Sequence, residues 1–166
     1  MIILGIDLSS SSTGLALVGD DDSLRTVAVR PKGKRGRDRF RAIMSAIEET
    51  IQYEGVDVVG IENPAHNASS GAKDVVYGFW WYATQIIHES GVPWYRVMPS
   101  SRAKYLTGSG RASKAEALRA ASERAGRLLG TDDEADAAAI AWMGLEALSG
   151  ASVSGVKWEV KYEHVG

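Results

Sequence analysis

Short apolar runs bounded by turn residues alternate along the chain with longer stretches of helical periodicity. The runs predict five strands, at 2–8, 15–18, 24–29, 56–62 and 92–98. A serine-rich turn separates the first two runs, which predicts a β-hairpin. Pro93 interrupts the last run early, so we expect the fifth strand to lie near an edge of the sheet.

Apolar residues at helical spacing predict helices between and after these strands. Ser113 with Glu116, and Thr131 with Glu134, have the spacing of capping boxes that begin the last two helices. A short helix follows Pro99. The longer helices cover about 38–53, 72–89, 114–129 and 131–148.

The order of these elements predicts an α/β fold with three antiparallel strands followed by parallel ones. The first helix is long enough to cross over between two parallel neighbours, the first and fourth strands. Asp7 and Glu62 end these two strands, so we expect them side by side at the edge where open α/β sheets bind ligands. For Asp7 alone, hydrogen bonding to the serine-rich turn is the simpler alternative.

Composition indicates one globular domain, because the chain has 166 residues, of which 45% are hydrophobic and 24% charged. The absence of cysteine excludes disulfides and thiolate chemistry and is typical of a cytoplasmic protein. No apolar stretch reaches the ~18 residues of a membrane span. We predict one domain over residues 1–150, beginning at once with the first strand, and a C-terminal extension over 151–166. The sequence leaves that extension open between a strand pair and a tail.

The net charge of −2 disfavours a generally basic nucleic-acid binder, but the charges are unevenly distributed. A local cationic patch suffices for contact with phosphates. The alternative is a solvated loop of ordinary surface charge. The basic side chains of this stretch are Arg30, Lys32, Lys34, Arg35, Arg37, Arg39 and Arg41.

Two further acids, Asp133 and Asp136, lie three residues apart on one face of the last helix. Asp133 suits the positive end of the helix dipole, whereas Asp136 leads the apolar stripe and needs a cation or a partner. If these acids join Asp7 and Glu62, their mutual repulsion calls for divalent cations. Ligation by oxygen alone suits Mg²⁺ or Mn²⁺.

Four segments, taken in order, resemble the RuvC family of Holliday junction resolvases, which belongs to the RNase H-like superfamily. The resemblance extends from residue 1 to about residue 148 and implies an RNase H-like nuclease domain with a mixed five-stranded sheet flanked by helices. The segments are Gly5-Ile6-Asp7, Ile61-Glu62, 107–114 and 133–141.

The resemblance implies a nuclease that cuts four-way and related branched DNA by paired, metal-dependent phosphodiester hydrolysis. It assigns two Mg²⁺ or Mn²⁺ ions to Asp7, Glu62, Asp133 and Asp136, and a catalytic or phosphate-binding role to Lys114. Together with the basic stretch, it predicts DNA contacts from Lys104, Arg111, Lys32, Lys34, Arg35, Arg37, His66 and Asn67.

The sequence departs from the family pattern in three respects, one of which is a basic stretch from Lys32 to Arg41 that is richer than expected, and it leaves alternatives open. Ser9 replaces a glycine, and the loop after Glu62 offers His66 and Asn67 where many relatives carry an aromatic wedge. A nuclease acting on RNA or simple flaps, and a module that binds branched DNA without cutting it, are the alternatives. A sugar kinase or chaperone-type ATPase shares the first turn but needs two lobes, for which the chain is too short.

The second long helix predicts a homodimer. Its sheet-facing arc of about 160° includes Val75 and Tyr82, and two aromatics, Tyr77 and Trp81, lie outside that arc. Scattered surface residues, or residues under a loop, are the alternative explanation. Two symmetric cuts in a junction favour a partner subunit on this helix.

Overall fold

The computed structural model describes residues 1–64 and 70–160, which form a mixed sheet of six strands with helices on both faces. The strands are β1 (Ile2–Asp7), β2 (Thr13–Gly19), β3 (Leu24–Val29), β4 (Val58–Glu62), β5 (Trp94–Val97) and β6 (Val156–Val160). The helices are α1 (Gly36–Tyr53), α2 (Ser70–Glu89), α3 (Pro99–Thr107), α4 (Lys114–Ala125) and α5 (Asp132–Leu148). None of the helices in the described ranges is long and apolar enough to cross a membrane.

The strand order is β3-β2-β1-β4-β5-β6, with antiparallel pairing from β3 to β1 and parallel pairing from β1 through β5. The predicted neighbourhood of the first and fourth strands is confirmed, because Ile6 lies opposite Ile61. The carboxyl ends of β1 and β4 therefore meet at the same edge of the sheet.

The expected number of five strands is wrong, because β6 adds a sixth. It pairs antiparallel with β5, so β5 lies between two strands and not at an edge. Pro93 precedes β5, and its carbonyl accepts a hydrogen bond from the Val59 N–H. Trp158 of β6 packs on the ring of Tyr95 at a centroid distance of 5.1 Å. This long-range contact stabilises a segment whose local sequence alone is ambiguous.

The capping predictions are confirmed at the first box and shifted at the second. Ser113 and Glu116 exchange both hydrogen bonds of a capping box at the start of α4. At α5, the Thr131 hydroxyl accepts from the Glu134 N–H, but the Glu134 carboxylate accepts from the N–H of Gly130 instead of that of Thr131.

Alternation along the strands divides the core into two layers. Leu4 and Ile6 of β1 pack with α1 and α2 on one face, whereas Ile3 packs with α5 on the other. By the same alternation, Asp7 and Glu62 share the face that α5 covers. The acids at the strand ends therefore lie under the helix that carries the other two.

Helix α5 lies unusually close to the sheet, because the strand positions beneath it are glycines. A Cβ at Gly5 would overlap the carbonyl oxygen of Ala137, and a Cβ at Gly14 would overlap that of Asp133. The facing helix is rich in fully buried alanines, which also keep the two surfaces close. This approach fixes the height of α5 above β1 and β2.

A tyrosine fills a second narrow space between the sheet and α5. The Tyr95 ring is fully buried and lies against the Cα positions of Gly60 and Gly144, where a Cβ would overlap it. Its hydroxyl donates a 2.6 Å hydrogen bond to the carbonyl of Ile140. The tyrosine thus joins β5 to the middle of α5.

We expect Gly5→Ala to lower the free energy of unfolding by about 3 kcal/mol, because the added methyl group must push α5 away from β1. Urea denaturation of the purified protein measures this. Gly78→Ala is the matched control, since Gly78 is an exposed position of α2 with open space at its Cβ. At position 78 the change from glycine to alanine should raise the free energy of unfolding by roughly 0.5 kcal/mol. Equal stability of Gly5→Ala and the unsubstituted protein would contradict the close-approach explanation.

Candidate active site

Three carboxylates converge where the strands β1 and β4 end beneath α5. Asp7 and Glu62 are the last residues of neighbouring parallel strands, and Asp136 points down from the second turn of α5. All three side chains are largely withdrawn from solvent. The site is therefore built by the sheet register together with the close approach of α5.

Arg102 of α3 holds these three acids together. Its Nη1 atom lies 2.5 Å from Asp136 Oδ2, 2.8 Å from Glu62 Oε2 and 3.7 Å from Asp7 Oδ1. The sequence analysis did not identify this residue. The available signal was a basic side chain in the first turn of a Pro-initiated helix, directly after a parallel strand that ends at the ligand-binding edge.

The cluster sets three carboxyl groups against a single guanidinium. Burial, and then the charge of Glu62, hold the pKa of Asp7 well above its usual range, against the opposing effect of Arg102. Burial raises the pKa of Glu62 to about 7, and burial also raises the pKa of Asp136. One guanidinium therefore compensates three carboxylates only in part.

The fourth predicted acid, Asp133, lies beside the cluster in its own hydrogen-bond network. Its Oδ2 accepts from the Ser12 hydroxyl at 2.5 Å and from Arg30 Nη2 at 3.0 Å, and Arg30 Nε donates to Ser12 at 2.9 Å. The negative charge of Asp133 contributes to the raised pKa of Asp7, so the two carboxylates interact electrostatically. The serine-rich turn thus serves Asp133, while its Ser9 hydroxyl bonds within the turn to the Ser12 carbonyl.

Lys114 lies at the start of α4, with a side chain that is 82% exposed. Its ammonium pairs with Asp132, which is adjacent in sequence to Asp133. This hydrogen bond is the main reason that the pKa of Lys114 is raised. The lysine therefore carries its charge at the rim of the acid cluster.

The remaining predicted DNA-binding residues are spread over several surface elements. Lys104 is exposed on α3, Arg111 is exposed in the loop before α4, and the basic stretch precedes and begins α1. His66 and Asn67 lie outside the described residues. Arg39 of the basic stretch is half-buried, and its exposed members are Arg30, Lys32, Lys34, Arg35, Arg37 and Arg41.

Helix α2 presents more apolar surface than predicted. Trp81 is 66% exposed, as expected from its position outside the arc, and Tyr77 is half-buried. The placement of Val75 and Tyr82 on the sheet-facing arc is wrong, because both are about half exposed. Tyr82 packs instead edge-on against Phe40 of α1, at a centroid distance of 5.0 Å.

The donor set of the cluster fits a hard divalent cation, although no group of three or more acids or histidines within residues 1–64 and 70–160 stands in metal-binding geometry. All the candidate donors are carboxylate oxygens, the type that Mg²⁺ and Mn²⁺ prefer. Glu62 Oε2 is buried and has no hydrogen bond. A buried carboxylate oxygen with only a charge contact is suited to accept a metal.

Comparison with known proteins identifies relatives across most of the chain. No family model matches it. The chain is 31% identical over 146 residues to "Crossover junction endodeoxyribonuclease RuvC" from Anaeromyxobacter sp. strain Fw109-5, covering 85% of this chain and 71% of that protein.

Two solved structures of Thermus thermophilus RuvC have a similar fold. The first has a TM-score of 0.73 at 22% identity, and the second, in complex with a Holliday junction substrate, has 0.75 at 23%. Each match covers 95% of this chain and 99% of the other. The predicted RNase H-like α/β fold is confirmed, with six strands instead of five. The sequence identity and coverage establish that this chain belongs to the RuvC family.

Proposed function

We propose that this chain is a divalent-metal-dependent endonuclease that resolves four-way DNA junctions by paired phosphodiester hydrolysis. The observation that carries this proposal is the convergence of Asp7, Glu62 and Asp136 at one buried sheet edge, around a single guanidinium. Relatives named crossover junction endodeoxyribonucleases support this activity. A protein that only bound DNA would gain nothing from carboxylates set against phosphate.

The four acids Asp7, Glu62, Asp133 and Asp136 would hold two Mg²⁺ or Mn²⁺ ions. When bound, such ions supply activation of water and stabilisation of the leaving 3′ oxygen. The protein contributes fixed positions: Asp7 and Glu62 are held by strand register, and Asp133 is oriented by Ser12 and Arg30. Lys114, released from Asp132 by a competing phosphate, would neutralise charge on the DNA beside the acids.

Branched DNA is the proposed substrate, and the basic surface is the proposed contact for its backbone. Lys104 on α3 and Arg111 before α4 lie on elements next to the acid cluster, whereas the basic stretch extends from the end of β3 into α1. His66 and Asn67 remain proposed contacts on the sequence pattern alone. Local positive charge of this kind attracts phosphates although the net charge is −2.

We also propose a symmetric homodimer through α2. Cutting two strands related by a two-fold axis needs two active sites, which a C₂ pair supplies with one kind of interface. Trp81 and Tyr82 supply exposed aromatic surface on this helix, and aromatics are enriched at interface cores. Tyr77 is proposed to lie in the same interface.

For domain organisation we propose that residues 1–150 form the nuclease domain and that 151–166 extend it. The described part of the extension contributes β6, which pairs with β5. An Arg96–Glu159 ion pair of 2.5 Å also joins these strands. The extension therefore supports the sheet on the side away from β3.

We expect Asp7→Asn to reduce cleavage of a synthetic four-way junction in Mg²⁺ by about 10³-fold, because removing a metal ligand takes away several kcal/mol of transition-state stabilisation. Junction binding should be kept or improved, since one negative charge near the phosphates is gone. A gel assay that follows both binding and cleavage measures the two effects.

Asp22→Asn is the matched control, because Asp22 is exposed and its φ of 62° is one that asparagine adopts readily. Cleavage by this variant should be unchanged. Undiminished cleavage by Asp7→Asn would contradict the metal site. Parallel assays on a flap, a duplex and an RNA hairpin test the substrate, and preference for any of these over the junction would contradict junction resolution.

Replacing Arg35, Arg37 and Arg39 with alanine should weaken junction binding and flatten its dependence on salt. The log–log slope should fall by about 0.9 for each phosphate that the protein no longer neutralises. Fluorescence anisotropy across a salt titration measures this slope. Arg119→Ala, a change at an exposed α4 position, should leave it unaltered. An unchanged slope in the triple variant would return the stretch to an ordinary solvated loop.

Trp81→Glu should convert a dimer into monomers that keep the fold but nick junctions poorly. A carboxylate in the interface replaces an aromatic whose burial contributes at most a few kcal/mol to binding. Sedimentation velocity at micromolar concentration resolves the two states. Tyr53→Glu alters an aromatic that is similarly exposed, on α1, and should stay dimeric. A monomeric unsubstituted protein, or a dimeric Trp81→Glu, would show that α2 is not the interface.

A further inference from the structure

Arg102 supplies the cation at the centre of the acid cluster. Its side chain is only 14% exposed, and the three carboxylates around it come from three different elements, β1, β4 and α5. Without a positive charge between them, these carboxylates would repel one another. Arg102 therefore allows the three acids to lie close together in this structure.

The contacts of Arg102 differ from those of a structural arginine. A single nitrogen, Nη1, meets all three acids, and neither Nη1 nor Nε forms a hydrogen bond of good geometry. Arg30, in contrast, donates from both Nε and Nη2 to Ser12 and Asp133. Paired hydrogen bonding of that kind gives arginine ion pairs their specificity. Arg102 acts here as a point charge, which is how a metal ion would act.

The helix that carries Arg102 is anchored mainly through its second half, where Tyr105 and Leu106 pack on the core and the Tyr105 hydroxyl donates to Glu146. None of the nine α3 residues, all of them described, is fully buried, and the side chain of the N-cap Met98 does not cap the helix. Arg102 itself belongs to neither core layer, so its side chain can change rotamer without opening either of them. This freedom suits a side chain that has to leave its position.

We propose that Arg102 is a positioning residue that occupies the cation position of this cluster, gathers Asp7, Glu62 and Asp136 in the metal-free protein, and is displaced when a divalent metal ion binds. The inference rests on the proposed function, because it takes these acids as the metal ligands. It adds that the protein carries its own competitor for the metal.

Competition of this kind raises the apparent Kd for the metal in inverse proportion to the fraction of molecules in which the arginine has left the site. If the guanidinium occupies the cluster in about nine molecules of ten, the apparent Kd is about tenfold higher than the intrinsic one. The arginine thus sets the metal concentration at which the site fills, while it prevents the empty site from being forced open by like charges.

The test measures Mn²⁺ binding to the Arg102→Met protein in the absence of DNA. Electron paramagnetic resonance reports the concentration of free Mn²⁺. Methionine keeps an unbranched apolar stem and removes the charge. We expect binding about tenfold tighter than in the unsubstituted protein. Arg119→Met, the same substitution at an exposed α4 site, controls for the change in net charge and should bind Mn²⁺ as before. Unchanged or weaker binding by Arg102→Met would overturn the proposal.

Thermal unfolding gives a second, independent readout. The metal-free Arg102→Met protein should melt roughly 10 °C lower, because it leaves buried carboxylates uncompensated, and saturating Mn²⁺ should restore most of the loss. Arg102→Lys keeps a charge and guards against a variant that fails to fold. It should melt between the other two and bind Mn²⁺ with intermediate affinity. A melting temperature in Arg102→Met that Mn²⁺ does not raise would overturn the proposal.

The outcomes separate this proposal from the proposed function. If the unsubstituted protein binds Mn²⁺ and Asp7→Asn does not, the metal site stands, and the Arg102 comparison alone decides the inference. If Arg102→Met binds Mn²⁺ and the unsubstituted protein does not, the arginine blocks the site permanently, and displacement by the metal is overturned. If neither protein binds Mn²⁺, the metal site and the inference both fail.

Discussion

The close approach of α5 to the sheet is the constraint on which the active site depends. Gly5 and Gly14 leave no side chain between the strands and the helix backbone, and the facing alanines keep the gap small. Only at this height does Asp136 reach the ends of β1 and β4. Glycine and alanine, the smallest residues, therefore determine where this cluster of acids forms.

The cluster shows how a fold tolerates buried groups of like charge. Burial and mutual repulsion oppose ionisation of Asp7, Glu62 and Asp136, and a single guanidinium lowers that cost without removing it. Asp133 is handled differently, since Ser12 and Arg30 give it complete partners at the edge of the same site. The charges of these acids are thus compensated to different degrees.

Sequence reasoning predicted the features that depend on local pattern and chain order. The apolar runs and one long crossover sufficed to predict that Asp7 lies beside Glu62. The apolar stripe of α5 indicated that Asp136 faces inward. The role of Arg102 was not predicted, because its short helix has no apolar stripe that would indicate its orientation and because its partners are distant in sequence. Strand β6 was ambiguous for the same reason, since it depends on Trp158 meeting Tyr95. Only the folded chain reveals contacts of this kind.

The slot around Tyr95 links three distant positions into one unit of sequence variation. The ring fills the space where side chains at 60 and 144 would stand, and its hydroxyl holds the Ile140 carbonyl. Replacing either glycine by alanine requires a smaller residue at position 95. A smaller residue at position 95 in turn leaves a void, unless one of the glycines is replaced by a larger residue. We therefore expect substitutions at positions 60, 95 and 144 to occur together among members of this family. Covariation of these positions would then mark the contact between α5 and the sheet.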